Sequence, residues 1–321
     1  MRSRGRVLVT GANGFVGRAL CRSLAAAGYS VRGTTRASAH TVDADEFYAV
    51  GDIGPNTNWT GALRYVDIVV HLAAQVHVME ESSEGLLAKF RLVNVAGTER
   101  LARAAAAAGV RRIVYVSSVK VNGENTKGKP FKEGDPPKPR GPYAISKWEA
   151  EQRLCQISKE TGIEVVILRP PLVYGPEVKA NFLSLMKLVD RGLPLPLGSV
   201  DNRRSLLFVG NLTGAITACI VHPEAAGKTF LLSDGEDVST SCLIRRLAWS
   251  LGKRARLLPF PPALMRAMGH ISGRSAAMER ILGSLEVDSG KIQRVLGWQA
   301  PYALEEGLKE TASWFESEAR R

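Results

Sequence analysis

The chain has 321 residues, of which 45% are hydrophobic and 23% charged, as is typical of a folded soluble protein. No run approaches the roughly 18 apolar residues of a membrane helix, and the N-terminal MRSRGRVLVTG enters a strand without a signal peptide's apolar core. We therefore predict a cytoplasmic protein without stable membrane insertion. The formal net charge of +12 is spread along the chain and forms no dense basic tract, which argues against a nucleic-acid partner and favours small anionic ligands.

The cysteines Cys21, Cys155, Cys219 and Cys242 are far apart and form no CxxC pair. This spacing indicates reduced thiols and gives no sign of a zinc site or a disulfide framework. We predict no metal.

Short β-branched strands alternate with helical stretches along the first half of the chain. The predicted strands are RVLVT (6–10), SVRGTT (30–35), DIVVHLA (67–73), RIVYVSS (112–118) and EVVILRP (164–170). Strands separated by helices form parallel βαβ units whose sheet is buried on both faces. The sequence therefore predicts an α/β fold with a doubly wound parallel sheet over residues 1–170.

After Pro170 the sequence becomes richer in proline and glycine, as in PPLVYGPEVKANF, RGLPLPLG and PFPPALM. We predict a smaller, irregular C-terminal lobe over residues 171–321, with some segments returning to the first domain. Such a lobe would cover the carboxyl edge of the sheet, where ligands of open α/β folds bind. The stretch ALEEGLKETASWFES predicts a closing helix.

A glycine loop joins the first strand to an amphipathic helix that ends at Gly28, in VLVTGANGFVGRALCRSLAAAG. Glycines at this junction permit a tight turn and let backbone N–H groups approach a diphosphate at the helix N-terminus. The position within a βαβ pattern predicts a Rossmann-type dinucleotide site. The candidate contacts in the loop are Gly11, Asn13, Gly14, Phe15, Val16 and Gly17.

The choice of dinucleotide depends on the end of the second strand. A carboxylate there would bind the ribose of NAD, whereas an arginine suits the 2′-phosphate of NADP. The sequence VRGTTRAS has no carboxylate before Asp43 and carries Arg36 at the strand end. NADP(H) is therefore favoured, with NAD(H) as the alternative if Arg36 is only a solvated surface charge.

Three residues form a candidate catalytic group: Ser118, Tyr143 and Lys147. Ser117 and Ser118 end a predicted strand, and YAISK places Tyr143 and Lys147 four residues apart, on one face of a predicted helix. A lysine cation and a nicotinamide ring beside a tyrosine favour its phenolate, so the phenol can exchange protons near neutral pH. Ser118 would hold the reacting oxygen of the substrate.

With the glycine loop upstream, this arrangement resembles the extended short-chain dehydrogenase/reductase family. The resemblance is closest to nucleotide-sugar enzymes, namely UDP-glucose 4-epimerases and UDP-4-keto-sugar 4-reductases of surface-polysaccharide pathways. It covers nearly the whole chain and rests on TGANGFVG, GDI (51–53), HLAAQVH (71–77), NVAGTERL (94–101), YVSSVKVNG (115–123), PYAISK (142–147), LRPPLVYGP (168–176), RRSLLFVGNL (203–212) and LGWQAPYALEEGL (296–308).

The resemblance also implies roles for residues outside the catalytic group. Those that would contact the cofactor, besides Tyr143 and Lys147, are Asp52 and Ile53 at the adenine, Leu72, Ala73 and Ala74 along its length, Asn94 from its helix, and Pro170 and Val173 near the nicotinamide. Asn181 and Arg204 would hold the diphosphate of a UDP-sugar substrate. Other interpretations stay open: Asn94 bonding a backbone group, Asn181 capping a helix, and Arg203 or Arg204 facing solvent.

Two positions depart from the family pattern and leave the substrate open. Asn122 replaces the family's frequent tyrosine in VNG, and Leu172 stands where 4-epimerases often have asparagine. We expect a reductase that uses NADPH on C4 of a UDP-4-keto-6-deoxy-(N-acetyl)hexosamine. The alternatives are a UDP-glucose or UDP-N-acetylglucosamine 4-epimerase with tightly held NAD, and a non-catalytic dinucleotide-binding protein, which the presence of Ser118, Tyr143 and Lys147 disfavours.

The resemblance further implies a homodimer formed through a four-helix interface. Segment 261–287 mixes apolar residues with arginines. It is predicted to pack as a helix or lid on its own protein, with contact to an anionic surface as the alternative.

Overall fold

The computed structural model describes residues 4–36, 44–76, 83–273 and 275–319. Seven strands form a parallel sheet in the order β3-β2-β1-β4-β5-β6-β9. Their bounds are β1 Arg6–Thr10, β2 Ser30–Thr35, β3 Glu46–Ala49, β4 Ile68–His71, β5 Arg112–Val116, β6 Glu164–Arg169 and β9 Thr229–Leu231. The order reverses between β1 and β4, as in a Rossmann-type sheet, which confirms the predicted fold class.

Helices cover both faces of this sheet, because its central strands are apolar on both sides. All four residues of β4 are buried, and so are four of the five in β1. One core cluster joins the sheet to α1 and α6, and another joins it to α3 and α4. The first six helices in chain order are α1 Phe15–Ala26, α2 Ser83–Arg91, α3 Thr98–Ala107, α4 Gly141–Thr161, α5 Ala180–Asp190 and α6 Val209–Val221, of which α5 packs on the second sheet described next.

A three-stranded sheet, ordered β10-β8-β7, lies in the C-terminal part of the chain. Its strands are β7 Leu172–Tyr174, β8 Arg204–Phe208 and β10 Asp237–Val238. An apolar cluster packs this sheet against α5, α7 and α11. The remaining helices are α7 Thr240–Ser250, α8 Pro262–Ile271, α9 Ser275–Leu282, α10 Gly290–Leu296 and α11 Leu304–Trp314.

Strand β9 is the part of the C-terminal half that pairs with the main sheet, next to β6. The division into domains 1–170 and 171–321 stays a prediction. Within the described residues, no helix is both long and apolar enough to cross a membrane.

Candidate active site

The glycine loop between β1 and α1 leaves no room for a side chain at Gly11 or Gly17. Gly11 has φ +70°, and the Gly14 N–H donates to the Gly11 carbonyl over 2.9 Å. A Cβ added at Gly17 would lie 2.1 Å from that carbonyl oxygen and 2.8 Å from the Cα of Ala12. The backbone is therefore closed into a turn that only glycine can form.

The N-terminus of α1 is arranged to receive an anion. Its N-cap is Gly14, and within the described residues no side chain caps it and no acidic residue lies in its first turn. The first N–H groups of a helix have no partner within the helix and carry its positive dipole end. The loop and helix therefore fit the diphosphate of a dinucleotide, as the sequence predicts.

Arg36 and Asp52 lie together near the carboxyl ends of β2 and β3. The Arg36 Nε is 3.7 Å from the Asp52 Oδ1, and both side chains are largely exposed. Asp52, which is distant in sequence, thus brings a carboxylate close to the end of β2, while its contact with a cofactor stays a prediction. Ile53 packs against Gly97, where an added Cβ would be 2.6 Å from the Ile53 Cγ2.

The segment after β4 is held by Thr10, at the end of β1. Its Oγ1 accepts hydrogen bonds from the N–H groups of Leu72 and Ala73, each over 3.2 Å, and lies 2.7 Å from the His71 Nδ1. Burial, together with the charge of Lys147, lowers the pKa of His71 to about 3. His71 is therefore a neutral hydrogen-bonding residue. This role was not predicted from the sequence, although His71 begins the HLAA motif.

Asn94 is buried in a π-helical segment, Leu92–Gly97, between α2 and α3. Its Oδ1 accepts the Gln75 N–H over 2.7 Å, and its Nδ2 donates to the Gln75 carbonyl and to the Ser146 Oγ. The two bonds to Gln75 match the alternative in which Asn94 bonds a backbone group. They connect the segment after Ala74 to α4, whereas a contact between Asn94 and a cofactor stays a prediction.

Lys147 lies under the carboxyl end of β5 with its side chain almost fully buried. Its Nζ donates to the Val116 carbonyl over 2.7 Å and lies 4.4 Å from the centre of the Tyr115 ring. Burial lowers the pKa of Lys147 to about 7, and the carboxylate of Glu151, one turn further along α4, opposes that shift. Small changes in its surroundings therefore decide whether Lys147 is charged at neutral pH.

Tyr143 lies one turn before Lys147 on α4. Its ring packs edge-to-face with the ring of Phe90, and the two ring centres are 6.2 Å apart. Burial raises the pKa of the Tyr143 phenol to about 12. The protein by itself therefore keeps this group protonated. The phenolate expected from the sequence requires additional positive charge beside the ring.

Ser118 follows β5 and begins a short 3₁₀ turn, Val119–Val121. Its Oγ accepts the Lys120 N–H over 3.3 Å. The neighbouring Ser117 is buried, and its Oγ has no hydrogen-bond partner among the described residues. The serine pair, Tyr143 and Lys147 therefore belong to one region of the fold, where β5 meets the start of α4.

A buried ion pair lies behind Lys147, and sequence reasoning did not find it. The Arg169 guanidinium makes two hydrogen bonds to Glu151, of 3.0 and 2.6 Å, and the two side chains are 5% and 1% exposed. Arg169 also donates to the Asn122 Oδ1, and the Asn122 Nδ2 donates to the Lys132 carbonyl. Asn122, the departure from the family's tyrosine, thus completes a polar cluster.

The predicted residues near the nicotinamide lie at the end of β6 and beyond it. Pro170 is buried, and its carbonyl accepts the Val119 N–H over 3.0 Å. Val173 lies on β7 and is partly buried. Pro170 is therefore next to the segment that carries Ser118.

Asn181 and Arg204, the residues predicted to hold the diphosphate of the substrate, lie on α5 and β8. Asn181 is exposed and does not cap α5, because the N-cap is Lys179. Arg204 donates to the carbonyls of Arg280 and Gly283 over 2.9 Å each, and burial lowers its pKa. The contacts seen for Arg204 are thus at the C-terminal end of α9, and its binding to phosphate stays a prediction.

Arg203, the neighbour of Arg204, is 67% exposed and forms an ion pair of 2.8 Å with Glu286. It is therefore the solvent-facing member of the arginine pair.

Residues 7–232 match the NAD dependent epimerase/dehydratase family. The chain is 45% identical over 314 residues to a UDP-glucose 4-epimerase of Vibrio cholerae, covering 96% of this chain and 95% of that protein. It is 29% identical to the N-acetyl-alpha-D-glucosaminyl-diphospho-ditrans,octacis-undecaprenol 4-epimerase of Escherichia coli O157:H7, covering 96% and 94%.

Among solved structures, MoeE5 in complex with UDP-glucose and NAD matches with a TM-score of 0.78 and 27% identity, covering 98% of this chain and 100% of that one. These similarities confirm the resemblance stated from the motifs and identify the chain as an enzyme. The protein belongs to the NAD dependent epimerase/dehydratase family, whose members similar to this chain include epimerases and a reductase of nucleotide sugars.

Proposed function

We propose that the protein is an NAD-dependent 4-epimerase of a UDP-hexose, with UDP-glucose as the first substrate to test. The observation that carries this proposal is the likeness of nearly the whole chain to the UDP-glucose 4-epimerase of Vibrio cholerae. Ser118, Tyr143 and Lys147, grouped at the carboxyl edge of the sheet, supply the proton chemistry that such a reaction needs.

In this proposal Tyr143 moves the proton of the sugar O4, and Ser118 holds that oxygen. The phenol, with its pKa near 12, is protonated at rest and so is ready to return a proton to a C4 carbonyl. To remove a proton it needs a cation beside it, and Lys147 is the nearest lysine on its helix. When bound, the dinucleotide accepts and returns a hydride at its nicotinamide ring.

We propose NAD as the cofactor. Asp52 places a carboxylate at the end of the nucleotide site and forms an ion pair with Arg36, which reduces the attraction of Arg36 for a 2′-phosphate. NADP(H), favoured from the sequence alone, remains the alternative because the Arg36 guanidinium is 79% exposed. The dinucleotide released from purified protein by denaturation distinguishes the two.

A 4-ketoreductase acting on a UDP-4-keto-6-deoxy-(N-acetyl)hexosamine is the second candidate. It is favoured by Arg36 at the end of β2 and by the protonated state of Tyr143, because a reductase needs that phenol only as a proton donor. A reductase exchanges its cofactor at every turnover, whereas an epimerase regenerates it.

The test is an assay of both reactions with one preparation. An epimerase converts UDP-glucose to its galacto epimer without added cofactor, while a reductase oxidises NADPH in the presence of the 4-keto sugar. Conversion of UDP-glucose by protein that carries NAD supports the proposal. Consumption of NADPH with no epimerisation overturns it.

Replacing Tyr143 by Phe tests the role of the phenol. The variant keeps the ring that packs on Phe90 and loses the hydroxyl. We expect turnover to fall by at least about a hundredfold, with cofactor binding retained. Unchanged turnover would remove Tyr143 from the mechanism.

We also propose that the enzyme is a homodimer. A groove of about 770 Å³ lies between the π-helical segment after α2 and the middle of α4, lined in part by Ala88, Leu92, Val95 and Trp148. Leu92 is 53% exposed there. A second copy of these helices would cover this groove in a four-helix interface, and analytical ultracentrifugation measures the state directly.

A further inference from the structure

Helix α8 carries a row of apolar side chains on its solvent-facing side. Leu264, Met268 and Ile271 follow one another at i, i+4 and i+7 and are 54%, 60% and 86% exposed. The helix buries Met265 and Gly269 on its other side. A helix that packs on a protein core is expected to expose polar residues on its solvent side, not apolar ones. This exposed apolar row, called the α8 stripe below, is therefore a candidate contact surface.

The charged residues in the segment that carries the stripe are all positive. Residues 238–278 contain no aspartate or glutamate, while they include seven lysines and arginines: Arg245, Arg246, Lys253, Arg254, Arg256, Arg266 and Arg274. Arg274 lies outside the described residues.

Three of these cations form ion pairs with carboxylates elsewhere in the chain: Arg246 with Glu236 and Glu305, Lys253 with Asp190, and Arg266 with Glu279. In the described part of the chain, Arg254 and Arg256 form none. The segment that carries the stripe therefore has a positive excess.

We propose that the α8 stripe docks on the surface of an anionic lipid bilayer. An interfacial helix combines a narrow apolar face, which enters the headgroup region, with cations that bind the lipid phosphates. The stripe from Leu264 to Ile271 is about 10 Å long at 1.5 Å per residue, which suits shallow insertion and not a membrane span.

The same charge argues against a second copy of the chain as the occupant. Contact between two stripes across a two-fold axis would bring two positive segments together, which like-charge repulsion opposes. A stable dimer interface also needs about 800 Å² from each partner, and three side chains supply only a fraction of that area.

Docking would place the sugar-nucleotide site near the bilayer. Helix α8 packs on α9, and Arg204, the predicted diphosphate ligand, donates to the carbonyls of Arg280 and Gly283 at the end of α9. The bilayer surface and the substrate site are therefore connected through one helix. The docking itself does not depend on which reaction the enzyme catalyses.

Cosedimentation of the full-length protein with vesicles tests the proposal. The vesicles contain either phosphatidylcholine alone or phosphatidylcholine mixed with the anionic phosphatidylglycerol. The test variant is Leu264→Ser/Met268→Ser/Ile271→Ser, and the control is Val221→Ser, which removes a 55% exposed apolar side chain at the end of α6. Circular dichroism and turnover of UDP-glucose monitor folding, and we expect both to be unchanged in the variants.

We expect the wild type and Val221→Ser to bind anionic vesicles at low salt, to bind neutral vesicles weakly, and to be released by added salt. The triple variant is expected to bind at least about tenfold more weakly. Equal binding to both kinds of vesicle, equal binding by the triple variant, or no binding by the wild type would overturn the proposal. A change of oligomeric state in the triple variant would show instead that the stripe is a contact between copies. Vesicle binding is measured without any enzymatic turnover. A negative result would therefore overturn the docking proposal and leave the proposed function untouched.

Discussion

Replacing Glu151 by Gln is expected to destabilise the protein strongly, because it leaves a buried guanidinium without its counter-charge. Glu151 and Arg169 are 1% and 5% exposed and share two hydrogen bonds. Removing one partner of a buried ion pair costs about 3–5 kcal/mol. The glutamine oxygen can keep one of the two hydrogen bonds, worth about 1 kcal/mol. We therefore expect the free energy of unfolding to fall by about 2–4 kcal/mol.

The matched control is Glu160→Gln on the same helix. Glu160 forms an ion pair with Arg103, but the two side chains are 39% and 45% exposed, so water screens their interaction. Urea denaturation of both variants against the wild type measures the difference. The reasoning is refuted if both variants lose the same free energy of unfolding. The double variant Glu151→Gln/Arg169→Met is expected to recover part of the loss, since it removes the unpaired charge.

Glu151→Gln should also change the pH dependence of catalysis. The Glu151 carboxylate raises the pKa of Lys147, so without it the ammonium loses its proton at lower pH. If catalysis needs Lys147 charged, the alkaline limb of the kcat/KM profile moves towards lower pH in this variant, and in Glu160→Gln it does not. A profile that moves equally in both variants would contradict the assignment.

Two further predictions concern the cofactor loop and acid stability. Gly17→Ala places a Cβ 2.1 Å from the Gly11 carbonyl, so we expect dinucleotide affinity measured by calorimetry to fall by at least about tenfold, whereas Gly54→Ala, with nothing within 4 Å, leaves it unchanged. His71 has a pKa of about 3 in the folded protein and of 6.5 as the free side chain. As the pH falls from 6.5 towards 3 the unfolded chain binds a proton that the folded chain does not, so this residue should cost up to about 4 kcal/mol of the free energy of unfolding. His71→Asn should flatten that part of the stability curve, and a curve identical to that of the wild type would exclude His71 as its source.

The sequence by itself determined the central strands and the catalytic group. The predicted strands 6–10 and 30–35 coincide with β1 and β2, because half or more of the residues in each are β-branched, and in β1 they form the apolar run of a strand buried on both faces. The pairing of Tyr143 and Lys147 could likewise be read locally, since residues four apart share one side of a helix. Strand β3 was missed because only one of its four residues is even partly buried, so its pattern resembles a loop.

Only the tertiary structure decided the polar contacts around that group. Asp52 meets Arg36 because β2 and β3 are neighbours, and Glu151 meets Arg169 because α4 packs on β6. Such contacts join residues far apart in sequence, and their geometry depends on how the helices pack on the sheet. A local pattern records which side of an element is apolar, whereas a buried charge takes its partner from whichever element folding brings beside it.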